Sequence, residues 1–351
     1  MAKTQRQIKY SQALSEGLME AMEKDKTVFV MGQSGEDPNA MFGTLKEAIE
    51  KYGPSGRVFD LPLSEAGITG WGTGAAIAGL KPVMTHHRDD FLFLASDQIV
   101  NHAAKWLYMH RTPVNWTIRA IIGRGWGQGP QHSQSLQSIF AHIPGLKVVM
   151  PSTAEDAKGL LYSSIFEPCP VIVLEHRRLY DSVGEVAEGI VEIPLGKARI
   201  LRPGKDLTIV AISQMVQEAE LAAQALGKAG IYAEVIDPRT IRPLDYATIN
   251  KSVKKTGRLI ICDTGWIKFG VSAEIAAAVS ETVFDSLKAP IKRIGLPDSP
   301  TPASYELEKY YYPGVSEILK AASGILPRAK VKKFREFATT DEDMQKFIGI
   351  F

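Results

Sequence analysis

Short apolar runs rich in β-branched residues alternate with helix-like patterns along most of the chain, and this alternation restricts the fold more than any other feature. In the first half, strand-like runs lie at residues 28–31, 58–61, 83–85, 116–121, 147–150 and 171–174, and helix-like patterns at 8–24, 42–52, 66–79, 92–109 and 154–166. Strands that alternate with helices favour a parallel sheet covered by helices on both faces.

The alternation breaks around residues 180–206 and then restarts. The later strand-like runs lie at residues 207–213, 232–236, 258–263 and 291–295, and the later helix-like patterns at 215–229, 243–254, 270–284 and 313–323. A chain of 351 residues is also long for a single core. We therefore predict an α/β protein with two domains, each a mainly parallel sheet flanked by helices. The predicted domains are residues 1–182, a linker at 183–201, a second domain at 202–327 and a basic tail at 328–351.

Charge and composition exclude several classes of partner. The net charge of +2 gives no reason to expect nucleic acid or an anionic membrane as a partner. No run approaches the roughly 20 apolar residues that span a bilayer. Cys169 and Cys262 are far apart in sequence and are interpreted as buried thiols of a reducing compartment. We expect a cytoplasmic protein, or one of the mitochondrial matrix or plastid if a targeting peptide has been removed.

Glu65 is the first candidate for chemistry. It follows the strand-like run at 58–61, and ligands gather at the carboxyl ends of strands in sheets of this kind. The helix-like pattern after it is rich in Gly and Ala, so another backbone or a cofactor can approach it closely. The alternative is a solvated charge, but the small and apolar surroundings favour a ligand-facing carboxyl group.

His132 is the second candidate. A glycine-rich loop at residues 123–130 follows a strand-like run and leads into Gln131 and His132. Such a loop at a strand end favours a functional role over a structural one. No Gly-Lys-Ser/Thr follows, so the loop is not a P-loop, and the Gly-rich run at 70–74 lacks the dinucleotide spacing. His86 and His87 are neighbours on a strand and point to opposite faces, which disfavours a shared metal.

Taken in order, these segments resemble the beta subunit of the first, decarboxylating component of 2-oxo acid dehydrogenase complexes, which is pyruvate dehydrogenase-like and related to transketolase. The resemblance runs from about residue 7 to about residue 325 and is most specific at residues 62–82, 91–99, 131–134 and 142–158. It implies a pyrimidine-binding domain for thiamine diphosphate followed by a transketolase C-terminal-like domain.

The resemblance implies a role for each candidate. Glu65 would hydrogen-bond a ring nitrogen of the cofactor's aminopyrimidine and must hold a proton near neutral pH, which burial in an apolar pocket favours. Phe91 would stack on that ring, with plain core packing as the alternative. His132 would protonate or orient the reacting group near the substrate. His87 is not part of the resemblance, and we expect it separately to line the cofactor and substrate pocket. A potassium ion held by backbone carbonyls near Ser164, Ile165, Glu167 and Cys169 is also implied.

One absence defines the partners. Gly-Asp-Gly followed by Asn-Asn, the family's signature for magnesium and the diphosphate, does not occur in this sequence. The resemblance therefore implies a separate alpha subunit that supplies the diphosphate and magnesium site, a second beta subunit in an α2β2 assembly, and a lipoyl acyltransferase as acyl acceptor.

The pocket wall departs from the family pattern at residues 85–89 and at Arg124. We expect His87, Arg124 and His132 to line a substrate pocket that admits a larger or more anionic substrate than pyruvate. The leading hypothesis is thiamine diphosphate-dependent decarboxylation of a 2-oxo acid with acyl transfer to a lipoyl carrier. The alternatives are the C-terminal half of a split transketolase, an acetoin-type dehydrogenase beta subunit, a nicotinamide- or flavin-nucleotide-binding protein, and an inactive binding scaffold.

Overall fold

The structure is a computed structural model that describes residues 5–33, 35–124 and 128–340. It divides into two compact units. The first comprises Met1–Gly196 and Thr240–Pro243, and the second comprises Lys197–Arg239 and Leu244–Phe351.

Among the described residues, the strands in chain order are β1 Gln5–Lys9, β2 Val28–Gly32, β3 Val58–Asp60, β4 Lys81–His86, β5 Thr117–Ile122, β6 Lys147–Val149, β7 Val171–His176, β8 Val183–Ala187, β9 Arg199–Arg202, β10 Leu207–Ala211, β11 Ala233–Asp237, β12 Thr240–Arg242, β13 Leu259–Trp266 and β14 Lys292–Leu296.

The α-helices are α1 Tyr10–Lys24, α2 Lys46–Tyr52, α3 Glu65–Ile77, α4 Ala104–His110, α5 Gly129–His132, α6 Gln137–Ala141, α7 Ala154–Ile165, α8 Met215–Lys228, α9 Tyr246–Thr256, α10 Val271–Val283, α11 Tyr305–Tyr311, α12 Val315–Ser323 and α13 Arg328–Thr340. Short 3-10 turns lie at Ala40–Gly43, Gly53–Ser55, Asp89–Ala95, Arg177–Leu179 and Phe284–Ser286, and a π-helical turn lies at Gln98–Ala103.

The first unit is built on a seven-stranded sheet with the order β12-β6-β7-β5-β4-β2-β3. All its pairs are parallel except β12 with β6, which is antiparallel. β2, β5 and β7 are buried along their whole length, as expected for strands covered on both faces. Helices α1 and α7 contribute much of the apolar core on one face. The carboxyl ends of the parallel strands consequently meet at one edge of this sheet.

The second unit is a five-stranded sheet with the order β14-β13-β10-β11-β9, parallel except at β9. Apolar residues of α8 and α12 pack with this sheet in one buried cluster. The predicted α/β class, with two units of mainly parallel sheet, is confirmed. Within the described residues, no helix is both long enough and apolar enough to cross a membrane.

Three segments differ from their sequence-based interpretation. The predicted linker contains β8, which pairs antiparallel with β1; both strands have mixed exposure and carry little periodic signal. The single helix predicted at residues 92–109 is a 3-10 turn, a π-helical turn and α4. The described part of the predicted tail forms α13, in which Phe334 is buried in the second core and Lys330 pairs with Asp206.

Candidate active site

The predicted site residues follow neighbouring strands of the first sheet. His86, the last residue of β4, pairs with Ala120 of β5, and Ile122, the last residue of β5, pairs with His176 of β7. The chain leaves all three strands at the same edge of the sheet. This is the edge at which doubly wound sheets bind ligands.

Glu65 is the first residue of α3 and is half-buried. Gln33, which follows β2, donates a hydrogen bond of 2.7 Å from Nε2 to Oε1 of Glu65. Because Gln33 engages one carboxyl oxygen, it orients the group and leaves Oε2 as the oxygen for a further partner.

The exposed face of α3 carries few large side chains. Ala66, Gly67 and Gly74 are exposed on it, and Trp71 is the large exposed side chain among them. A Cβ added at Gly74 would meet no atom within 4 Å. Glycine in a helix costs about 1 kcal/mol relative to alanine, so this face is better suited to close approach of another molecule than to helix stability.

His86 is a buried histidine that the sequence patterns did not single out as a site residue. Neither of its ring nitrogens has a hydrogen-bond partner among the described residues. Burial lowers the pKa of His86 to about 4, while the nearby Glu65 carboxyl group acts in the opposite direction. His86 is therefore a neutral imidazole with unused hydrogen-bonding capacity near Glu65, and the half-buried His87 follows it at the strand end.

His132 and Phe91 are in contact with each other. Their ring centroids are 5.5 Å apart with planes inclined by 32°. Nδ1 of His132 lies 3.0 Å from Oδ2 of Asp90. A carboxylate can only accept hydrogen bonds, so Nδ1 donates to Asp90, and Nε2 is the acceptor nitrogen of the neutral ring. Asp90 gave no signal in the sequence, because its partner lies 42 positions away.

Asp89 and Arg88, which directly precede Asp90 in the chain, are buried and hydrogen-bonded to other segments of the first unit. Burial raises the pKa of Asp89 well above its usual value, and its Oδ2 accepts a hydrogen bond of 2.9 Å from the backbone N–H of Leu136. Arg88 is buried and donates from Nη1 to the carbonyl of Gly123, at 2.9 Å. Arg124, half-buried at the end of β5, comes next in the chain after that carbonyl.

The carbonyl segment predicted to hold potassium lies at the end of α7. The side-chain amide of Asn115 donates to the carbonyl oxygens of Phe166 and Glu167, at 3.3 and 2.7 Å. The carbonyl of Ser164 accepts the backbone N–H of Glu167 at 3.3 Å. The carbonyls of Ser164 and Glu167 thus each accept one hydrogen bond from the chain, and the potassium site stays a prediction. The described residues also contain no cluster of three or more His, Cys, Asp or Glu side chains suited to a metal.

Known families match both units. Residues 6–182 match the transketolase pyrimidine binding domain, and residues 196–318 match the transketolase C-terminal domain. A solved structure described as a split gene transketolase, inactive beta4 tetramer, superposes with a TM-score of 0.71 at 20% identity, covering 98% of this chain and 99% of that one. The chain is a transketolase-like two-domain protein.

Similarity to curated proteins narrows the family. The chain is 44% identical to the pyruvate dehydrogenase E1 component subunit beta-1, mitochondrial, of Arabidopsis thaliana, over 91% of this chain and 89% of that protein. It is 40% identical to the acetoin:2,6-dichlorophenolindophenol oxidoreductase subunit beta of Cupriavidus necator, over 90% of this chain and 97% of that protein. The chain belongs to the family of pyruvate dehydrogenase E1 component beta subunits, a family of thiamine diphosphate enzymes. The predicted resemblance and enzyme class are thereby confirmed.

Proposed function

We propose that this chain is the beta subunit of a thiamine diphosphate-dependent 2-oxo acid dehydrogenase that decarboxylates a 2-oxo acid and passes the acyl group to a lipoyl carrier. The observation that carries the proposal is the orientation of Glu65 by Gln33 at the start of α3, at the sheet edge that also bears Phe91 and His132. We also propose that the enzyme acts in the cytoplasm, or in the mitochondrial matrix or plastid after removal of a targeting peptide.

Four residues of this chain have separate roles in the proposed reaction. Thiamine diphosphate, when bound, supplies the stabilisation of negative charge on the carbon that loses carbon dioxide. Oε2 of Glu65 would hydrogen-bond the aminopyrimidine, while Gln33 keeps Oε1 occupied. Phe91 offers a flat apolar face for stacking. His132 exchanges a proton with the reacting group through Nε2, because Asp90 fixes its Nδ1.

An alpha subunit completes this site in our proposal. The chain lacks the Gly-Asp-Gly motif, so the partner supplies the diphosphate contacts and most magnesium ligands. Two features support a contact with another chain on this side. The exposed face of α3 carries few large side chains, and the apolar side chains of Leu63, Trp71 and Leu94 are exposed near it. A second beta subunit would complete an α2β2 assembly, with a lipoyl acyltransferase as the acceptor.

Oxidative cleavage of acetoin is the second candidate function. The similarity to the beta subunit of the Cupriavidus necator acetoin oxidoreductase favours it. Measuring carbon dioxide release separates the two candidates, because only the first releases carbon dioxide from a 2-oxo acid.

Turnover by a Glu65→Gln variant tests the proposal. The chain is co-purified with its alpha subunit, and release of carbon dioxide from pyruvate and longer 2-oxo acids is measured with a dye acceptor. Glu65→Gln keeps the size of the side chain but removes its acid, so we expect kcat to fall about 10²- to 10⁴-fold. Glu47→Gln, on the exposed surface of α2, is the matched control and should leave kcat unchanged. Full activity of the Glu65→Gln complex would refute the proposal.

A further inference from the structure

His86 is buried at the end of β4 without a hydrogen-bond partner for its side chain. Its exposure is 1%, and neither ring nitrogen is hydrogen-bonded to any residue that the structure describes. On the β5 side it pairs with Ala120, whose methyl group offers no partner. Leaving a buried polar group unpaired costs free energy, so this imidazole needs an explanation. Its place at the edge of the candidate active site makes a role in that site the explanation to test.

The register of the sheet places His86 beside Gln33. β2 and β4 are parallel, and their pairing ends with Gly32 opposite Thr85. The residues that follow are Gln33 and His86, which therefore come level at the ends of neighbouring strands. Side chains that are level on adjacent strands point to the same face of a sheet. Gln33 is also the residue that orients Glu65, through its hydrogen bond of 2.7 Å to Oε1.

Helix α3 lies over the same face and brings Glu65 to His86. Oγ1 of Thr69 donates to Sδ of Met84 at 3.7 Å, which places Thr69 over the face of β4 that also carries His86. α3 connects β3 to β4, which are both parallel to β2, so the helix runs in the direction opposite to β4. One helical turn back from Thr69, about 6 Å away, is Glu65. Two residues on from Met84, about 6.6 Å in the same direction, is His86, so Glu65 lies over it.

The charge state of His86 fits a partnership with Glu65. Burial lowers the pKa of His86 to about 4, the Glu65 carboxyl group acts against this lowering, and His87 adds to it. At neutral pH the ring is therefore neutral, with one N–H donor and one acceptor nitrogen. Among the described residues, Gln33 is the hydrogen-bond partner of the Glu65 side chain, at Oε1. Hydrogen bonds of an active site are often incomplete before the ligand binds and tighten in the loaded complex.

We propose that His86 is a positioning residue for Glu65: in the loaded alpha–beta complex, a ring N–H of His86 donates to Oε2 of Glu65 while Gln33 donates to Oε1. This rests on the proposed function, in which Glu65 binds the aminopyrimidine of the cofactor. Each oxygen of a carboxyl group has more than one site for a hydrogen bond, so Oε2 can accept from His86 and still contact the cofactor. Two donors on opposite oxygens fix the plane of the carboxyl group, which sets where the cofactor's ring is held.

Binding of thiamine diphosphate with magnesium to the alpha–beta complex, measured by isothermal titration, tests this role. His86→Phe keeps a flat ring but removes both nitrogens, and we expect it to weaken binding at least about fivefold, the effect of one lost hydrogen bond. His86→Gln keeps an N–H donor and should stay within about twofold of the wild type. His142→Phe, at an exposed position after α6, is the matched control and should bind like the wild type.

A double-mutant cycle separates positioning from a structural effect. Glu65→Ala removes the carboxyl group, so adding His86→Phe to it should change binding by less than about twofold if His86 acts through Glu65. Equal losses in the two backgrounds would show that His86 only supports the fold, and would overturn the proposal. Wild-type affinity of the His86→Phe complex would also overturn it and leave the proposed function standing. A wild-type complex that binds no thiamine diphosphate would overturn both.

Urea unfolding of the isolated chain gives a readout that needs no cofactor. His86→Phe removes two unpartnered nitrogens from the core, so we expect its urea midpoint to lie above that of the wild type. His86→Leu is the second apolar variant, should the larger ring of Phe not fit. A lower midpoint for both variants would show that the nitrogens already have partners within the chain, which contradicts a role reserved for the loaded site.

Discussion

Two buried histidines, His86 at the end of β4 and His176 at the end of β7, have strongly lowered pKa values. Burial lowers the pKa of His86 to about 4 and that of His176 to about 3, from an ordinary value of 6.5. Both imidazoles are therefore neutral in the folded chain. Below pH 6.5 these imidazoles are protonated in the unfolded chain but stay neutral in the folded chain. Their contribution to the free energy of unfolding is therefore fully present above pH 6.5 and is lost as the pH falls toward their pKa values in the folded chain.

We predict that His86→Gln flattens this acid destabilisation. Between about pH 7 and about pH 5, His86 should account for a loss of about 2 kcal/mol in the free energy of unfolding, and the variant should lose that much less. Urea denaturation at the two pH values, followed by fluorescence, measures the difference. His110→Gln, at an exposed position, should keep the wild-type slope. Identical slopes for wild type and His86→Gln would contradict the assigned burial.

At the same scale, the sequence revealed some site residues and hid others. Glu65 and His132 stand out because each follows a strand-like run and lies beside glycines. Asp90 and Arg88 do not, because their roles depend on which strands are neighbours. The contact of Asp90 with His132 and that of Arg88 with Gly123 both join β4 to the segment after β5, and strand order is a property of the folded sheet.

Helix α3 contains a glycine, Gly74, that lowers the stability of the helix without a packing reason inside the chain. Gly74 lies on its exposed face, and a methyl group at that position would have no atom within 4 Å, so nothing in the described part of this chain requires glycine there. A residue that costs the helix stability without a reason inside the chain indicates a surface that another molecule approaches.

We predict opposite effects of Gly74 substitutions on folding and on assembly. Gly74→Ala should stabilise the isolated chain by about 0.5–1 kcal/mol, as measured by denaturant unfolding. Gly74→Leu should weaken association with the alpha subunit at least about tenfold in sedimentation equilibrium, since a bulky side chain separates closely packed backbones. Gly227→Ala in α8, where a Cβ likewise meets nothing, should stabilise the chain and leave assembly unchanged. Wild-type association of Gly74→Leu would exclude α3 from the interface.

Periodicity located most elements but not all. The strand-like run at 171–174 and the helix-like pattern at 8–24 correspond to β7 and α1, because buried strands and amphipathic helices carry strong signals. The sequence patterns did not predict β1 and β8, since each strand is stabilised mainly by pairing with the other. The segment before α4 has helical spacing, yet it folds as 3-10 and π turns that bring Phe91 to His132.

At the scale of the whole molecule, our proposal gives the chain one part of an active site. This part comprises a carboxyl group oriented by Gln33, the Phe91 ring and a histidine with its carboxylate partner. The chain provides neither the Gly-Asp-Gly motif nor, among its described residues, a cluster of side chains suited to magnesium. The cofactor's ring and its diphosphate are therefore recognised by different chains in our proposal.

This division predicts that thiamine diphosphate binds tightly only after the alpha subunit is added. Isothermal titration of the chain alone with thiamine diphosphate and magnesium should show binding at least about 100-fold weaker than titration of the complex, because at least two charge-assisted contacts of about 1.5–3 kcal/mol each are missing. Glu65→Gln should weaken binding to the complex, whereas Glu47→Gln, at an exposed position of α2, should not. If the chain alone bound the cofactor as tightly as the complex does, a shared site would be ruled out, since this chain would then hold the diphosphate through residues of its own.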